Sequence, residues 1–180
     1  MMLRQNKRSP KKMPPVNLIK SNYGANAEMN VLLISPDTPN TFWSLKYALE
    51  MISKKAALPP LGLLTIAAML PSDWHIKLVD LNVEHLKNQD VQWSDMVFIS
   101  AMHIQRSSTN RIIRKCKRFG KTIVAGGPLF TTSPNGFENV DHLVLDEAEL
   151  TLPLFLDDLA SGSPRHIYRA QERADMHTSP

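Results

Sequence analysis

Five short apolar runs, each stopped by small or polar residues, set the rhythm of this chain. Asn30-Val-Leu-Leu-Ile-Ser35 comes first and breaks at Pro36-Asp37-Thr38-Pro39. Ile76–Asp80, Met96–Ser100, Lys121–Ala125 and His142–Leu145 follow. Near-continuous apolar runs of this length are the mark of strands buried on both faces of a parallel sheet. Between them the apolar positions shift to helical spacing. Thr41 is placed to cap a helix carrying Phe42, Leu45, Ala48, Leu49 and Ile52, with Lys54 and Lys55 near its carboxyl end, where cations suit the helix dipole. Pro59-Pro60 opens a second helix, with Pro60 at its first position. Leu61, Leu63, Leu64, Ile66, Ala67, Ala68, Met69 and Leu70 leave almost no polar face, so this helix is expected to be buried on most sides.

A short helix is weakly signalled around Val83–Leu86. Ile104–Phe119 is the next helix, with Ile112, Cys116 and Phe119 on one face, basic residues on the others, and Gly120 as its stop. Ala148–Ala160 closes the fold, with Leu152, Phe155, Leu156 and Leu159 facing inward; Pro153 fits only in a first turn. Strands alternating with helices require crossovers, a parallel sheet and helices on both faces. The expectation is an α/β, flavodoxin-like, doubly wound sheet of five strands in the order 2-1-3-4-5. Its ligand crevice would lie between the first and third strands, with Ser35–Thr38, Ser100–His103 and Gly126–Leu129 around one mouth. Residues 1–28 read as a basic extension, 29–162 as the α/β domain, and 163–180 as a polar tail or remnant linker.

Charge supports that division. The net charge is +4, but residues 1–28 hold Arg4, Lys7, Arg8, Lys11, Lys12 and Lys20 against Glu28, which leaves −1 for the rest. A nucleic-acid-binding domain carries its basic patch on the fold, so nucleic acid is not an expected partner. Met29 stands directly before the first strand and is the expected native start. Peptides from residues 1–28 in the native protein would contradict that. No apolar stretch approaches the ~20 residues that span a bilayer. The single Cys116 excludes an internal disulfide and suggests a reducing, cytoplasmic setting.

Several chemistries lack their motifs. The first strand is not followed by Gly-x-Gly-x-x-Gly, and there is no phosphate loop, Gly-x-Ser-x-Gly, His-Glu-x-x-His or Cys-x-x-Cys. The six histidines show no metal-ligand spacing, and only His103 falls at the expected mouth. Asp146, Glu147 and Glu149 read as acids at the amino end of the closing helix, each worth about 0.3–1 kcal/mol there. Asp37 and Asp80 read as turn formers.

Taken in order, several segments resemble the amino-terminal cobalamin-binding domain of cobalamin-dependent radical S-adenosylmethionine enzymes. They are Val31–Pro36, Pro59–Leu64 with Ala67-Ala68, Val79–Leu81, Asp95–Met102 with Gln105, Gly126-Gly127-Pro128, Glu147-Ala-Glu149, Asp157–Gly162 and Tyr168-Arg169-Ala170. The resemblance implies that the strand ends hold a corrinoid whose nucleotide tail lies in the crevice. Ser100 would contact that tail and Gly126 and Gly127 would let it pass. Ser35, Pro36, Asp37, Thr38, Ala101, Met102, Pro128 and Glu147 complete the implied cofactor set, with no catalytic residue and no protein metal ligand. The Asp-x-His-x-x-Gly loop that supplies a cobalt-binding histidine in other cobalamin domains is replaced by Ser35–Pro39. Asp146 stands where the family carries Gly.

An iron–sulfur cluster needs several thiolates, so none is expected with one cysteine. The expected role is therefore a truncated or stand-alone module that holds a corrinoid for a separate or missing radical domain. The Pro60–Leu70 helix and the residues after Gly162 are the expected partner-facing surfaces. Two other readings stay open: a degenerate fragment kept as an interaction domain, and a small-molecule sensor on the same scaffold.

Overall fold

The computed structural model describes residues 28–39, 49, 51, 58–171, 174 and 179–180. The expected basic extension up to residue 27 lies outside them, as does most of the helix expected from Thr41, of which Leu49 and Met51 are described and helical.

Strands β1 (Asn30–Ser35), β2 (His75–Asp80), β3 (Met96–Ser100), β4 (Thr122–Gly126), β5 (His142–Val144) and β6 (Ile167–Tyr168) form one sheet in the order β2-β1-β3-β4-β5-β6. Every neighbouring pair is parallel. Among the described residues, besides the helical Leu49 and Met51, the helices are α1 (Leu61–Met69), α2 (Asn88–Trp93), α3 (Arg106–Arg118), α4 (Pro128–Thr132) and α5 (Ala148–Ala160). Alternation along β1 sorts the core into two layers. Val31 and Leu33 pack with Leu63 of α1, with Leu152, Phe155 and Leu156 of α5, and with Phe98. Leu32 and Ile34 join Ile112, Ile113 and Cys116 of α3 and Leu129 and Phe130 of α4 on the other face. The flavodoxin-like α/β fold expected from the sequence is therefore present, with one more strand at its edge.

That sixth strand corrects the expectation of a plain polar tail from residue 163. Tyr168 is 1% exposed and its ring meets Phe155 edge-on at 5.6 Å. Its hydroxyl donates to Asp158 Oδ2 (3.0 Å) and accepts the Arg165 N–H (2.6 Å). A two-residue strand has no periodicity to read.

Other departures are local. Leu61 and Leu64 are 63% and 42% exposed, so α1 buries one side only, contrary to the sequence expectation. Pro60 is the residue before α1 rather than its first. Residues 103–105 form a 3-10 turn leading into α3. Pro153 is the sixth residue of α5, beyond the first turn, and removes the bond that would reach the Glu149 carbonyl. Helix α2 replaces the weak signal at Val83–Leu86. Asp90 fixes its start by accepting the Lys87 N–H (3.0 Å) and binds Lys77 of β2 (2.6 Å).

Candidate functional site

Parallel strands deliver their loops to one edge, and on the α1–α5 face that edge opens into a cleft of about 330 Å³. Phe98, Val124, Val144 and Leu152 line it, Leu61, Gly62, Thr65 and Ile66 form the α1 side, and Asp146, Glu147 and Glu149 form an acidic rim. Its volume lies in the range of about 300–1,000 Å³ usual for small-molecule pockets. Ser100 and Gly126, paired in register at the ends of β3 and β4, meet there. Among the described residues no group hydrogen-bonds the Ser100 hydroxyl, which lies beside Gly62 and Gly127.

The two glycines at β4 are bare because of the protein itself. A Cβ on Gly126 would lie 2.5 Å from the Val144 carbonyl oxygen. Gly127 has φ 87°, and a Cβ there would come 2.9 Å from Ser100 Oγ. Gly62 differs: its added Cβ meets only Ser100 Oγ, at 3.7 Å, an ordinary contact. Gly62 is thus the glycine that keeps the cleft open without being required by the backbone. The sequence did carry a signal, since glycine inside an apolar helical run costs about 0.8–1 kcal/mol relative to alanine.

Of the residues singled out in the sequence, Ser100, Gly126, Gly127, Pro128 and Glu147 share this cleft. Ala101 lies buried behind it. Its N–H donates to the Gly126 carbonyl (3.2 Å), and its own carbonyl accepts the Leu129 N–H (3.0 Å). Met102 is 60% exposed and lines neither this cleft nor the second one described below. Ser35, Pro36, Asp37 and Thr38 lie outside this cleft. The gap between the β1 and β3 ends, where the sequence placed the crevice, is spanned by Gln105. Its Nε2 donates to the Pro36 carbonyl (2.6 Å).

Asp37 instead borders a second cleft of about 400 Å³ on the opposite face, with Ser108, Arg111, His85 and Lys115. Arg111 donates to both Asp37 oxygens (3.0 and 3.1 Å), and Ser108 donates to Oδ1. Partial burial pushes the Asp37 carboxyl up, but Ser108 and Arg111 together hold it below its ordinary value. His103, exposed, has its Nε2 2.7 Å from the Thr132 hydroxyl.

The acids after β5 do not cap α5 through their side chains. Asp146 accepts the Ala170 N–H (3.3 Å), Glu147 accepts the Ala174 N–H, and Glu149 accepts the Ser179 hydroxyl (2.7 Å). These bonds place Ala170, Ala174 and Ser179 at the rim. Asp146 is also the one non-glycine with positive φ among the described residues, at 63°. That explains why a glycine suits this position.

The lining has, among the described residues, no imidazole or thiolate. Among the described residues no group of three or more His, Cys, Asp or Glu side chains could hold a metal ion. The described lining offers apolar walls and a hydroxyl that no described residue binds, above a rim of carboxylates already engaged by backbone and hydroxyl donors. This is the chemistry of a largely neutral organic group rather than a bare cation. The B12 binding domain model matches residues 51–156. The chain belongs to the B12-binding domain family. It is 44% identical over 154 residues to an uncharacterized methyltransferase of Synechocystis, covering 84% of this chain and 29% of that protein. It is 30% identical over 155 residues to the hopanoid C-2 methylase of Rhodopseudomonas palustris, covering 83% and 29%. A bacteriochlorophyllide d C-8(2)-methyltransferase of Chlorobaculum tepidum is 30% identical over 113 residues, covering 62% and 24%. The B12-binding chain thus spans less than a third of the length of these curated relatives. No helix among its described residues is long and apolar enough to cross a membrane.

Proposed function

We propose that this B12-binding domain holds a corrinoid at the carboxyl edge of its sheet, with the nucleotide tail in the α1–α5 cleft and the ring over the loops after β1, β3 and β4. The observation that carries this reading is the cleft itself: an apolar slot with a Ser100 hydroxyl that no described residue binds, in a chain matched by the family model across both its walls. When bound, the corrinoid would supply methyl-transfer or radical reactivity, and the protein would supply binding and orientation. Ser100 would hydrogen-bond the tail, Gly62 and Gly127 would let it lie close, and the apolar walls would exclude water. Of the second set, Asp37, Thr38 and Met102 would face the ring from the rim, with Glu147 at the other side, while the buried Ser35, Pro36 and Ala101 would support the loops beneath it. No histidine stands in the β1 loop, so no protein imidazole from that loop would reach the cobalt.

The reaction would belong to a radical S-adenosylmethionine domain, on a separate chain or on the part of the longer proteins that this chain does not cover. The relatives are methyltransferases or methylases by name, which supports methyl transfer as that reaction. A reducing, cytoplasmic setting fits such a cofactor. Protein mixed with hydroxocobalamin should retain corrin absorbance through gel filtration. Colourless protein would overturn the corrinoid reading and favour a fold kept for interaction alone.

A further inference from the structure

Gln105 is 8% exposed and sits in the 3-10 turn before α3. Its Nε2 donates to the Pro36 carbonyl (2.6 Å) and to the Thr38 hydroxyl (3.3 Å), while its Oε1 accepts the Met102 N–H (2.9 Å). These partners settle which end of the amide is nitrogen, because one needs a donor and another an acceptor. Thr109 Oγ1 donates to the Gln105 carbonyl (2.9 Å) and ties the turn to α3. One buried side chain therefore joins the loop after β1 to the loop after β3.

The β1 loop needs such a tie. It holds Pro36 and Pro39, which have no N–H to donate. Asp37 and Thr38 send their N–H groups to Ser108 Oγ (3.1 Å) and Asn82 Oδ1 (2.9 Å). The β3 loop is already bound to β4 through Ala101 and Gly126, and Thr131 continues the chain by accepting the Asp146 N–H (3.0 Å). Ser108 and Arg111 bind Asp37 from α3, and among the described residues Gln105 is the side chain that bonds both the β1 loop and the β3 loop.

We propose that Gln105 is a positioning residue that fixes the β1 and β3 loops relative to each other, so that the rim is set before a corrinoid arrives. This role rests on the corrinoid reading above. A ring that contacts both loops loses less entropy on a fixed rim than on a loose one. Gln105→Met keeps the volume and removes both donor and acceptor. Gln105→Glu keeps the acceptor for Met102 and sets a carboxylate against the Pro36 carbonyl.

Residue-resolved amide exchange in the ligand-free protein, with hydroxocobalamin affinity read alongside, tests the role. Gln105→Met should speed exchange at Asp37, Thr38 and Met102 by about tenfold. Gln105→Glu should speed it at Asp37 and Thr38 and leave Met102 protected, a pattern that general loosening does not produce. Gln105→Met should also weaken hydroxocobalamin about tenfold, equivalent to ~1.4 kcal/mol. Unchanged exchange, uniform loosening in both variants, or unchanged affinity with loosened loops would each overturn the role. A wild type that binds no hydroxocobalamin overturns the corrinoid reading and the role with it. A wild type that binds, matched by Gln105→Met, overturns the role alone.

Discussion

A methyl group at Gly62 makes an ordinary contact with Ser100 Oγ, whereas one at Gly126 collides with the backbone of β5. Substitution at Gly62 therefore tests access and substitution at Gly126 tests folding. Gly62→Leu should fill the cleft and abolish corrin retention in gel filtration, while its stability stays unchanged or rises by up to about 1 kcal/mol from helix propensity. Undiminished retention would remove the cleft from the site. Asp146 gives a second residue-scale test. Asp146→Ala should lower stability by about 1 kcal/mol, because alanine keeps the left-handed strain and loses the carboxylate bond to Ala170. Asp146→Gly should be more stable than Asp146→Ala in urea denaturation, and the reverse order would show that the backbone is not strained there. The sequence pointed to the glycine pair at β4, but residue type alone does not distinguish a glycine that serves a ligand from one pressed against a neighbouring carbonyl.

Elements differ in how much of them the sequence exposes. Each of β1, β3, β4 and β5 is a run of apolar residues long enough to be recognised, and α5 emerges with its expected bounds because its inward face repeats regularly. Helix α2 is held by the Asp90 carboxylate, and β6 by packing of Tyr168, so both depend on contacts distant in sequence. Tyr168→Phe should cost about 1 kcal/mol for the lost hydroxyl bonds, and Tyr168→Ala about 3–5 kcal/mol in equilibrium unfolding, by analogy with other buried aromatics. A negligible loss would show that β6 is not part of the fold.

Burial raises the Asp90 carboxyl, but Lys77 and the Lys87 N–H outweigh it and hold the carboxyl below its ordinary 3.8. A carboxyl lowered by folding stabilises above its unfolded value, and that contribution fades as pH falls through the folded one. The stability gap between wild type and Asp90→Asn should be full near pH 6 and close below roughly pH 3. A gap independent of pH would contradict the Lys77 pairing.

At the scale of the whole molecule, the doubly wound architecture was legible because period and length sufficed, and so was the Ser100 and Gly126–Pro128 side of the cleft, but its α1 and α5 walls were not. The sequence placed the crevice between β1 and β3. Gln105 spans that gap, and the open cleft lies instead under α1 and α5, two elements far apart in the chain. The exposed Leu61 on α1 lines this opening, and Leu64 of the same helix is exposed as well. The most direct measurement is equilibrium binding of hydroxocobalamin against cobinamide, which lacks the nucleotide tail. A corrinoid anchored by its tail in the α1–α5 cleft should bind at least tenfold more tightly than cobinamide, and Gly62→Leu should erase the difference. Equal affinity for the two in the wild type would contradict the placement of the tail in that cleft.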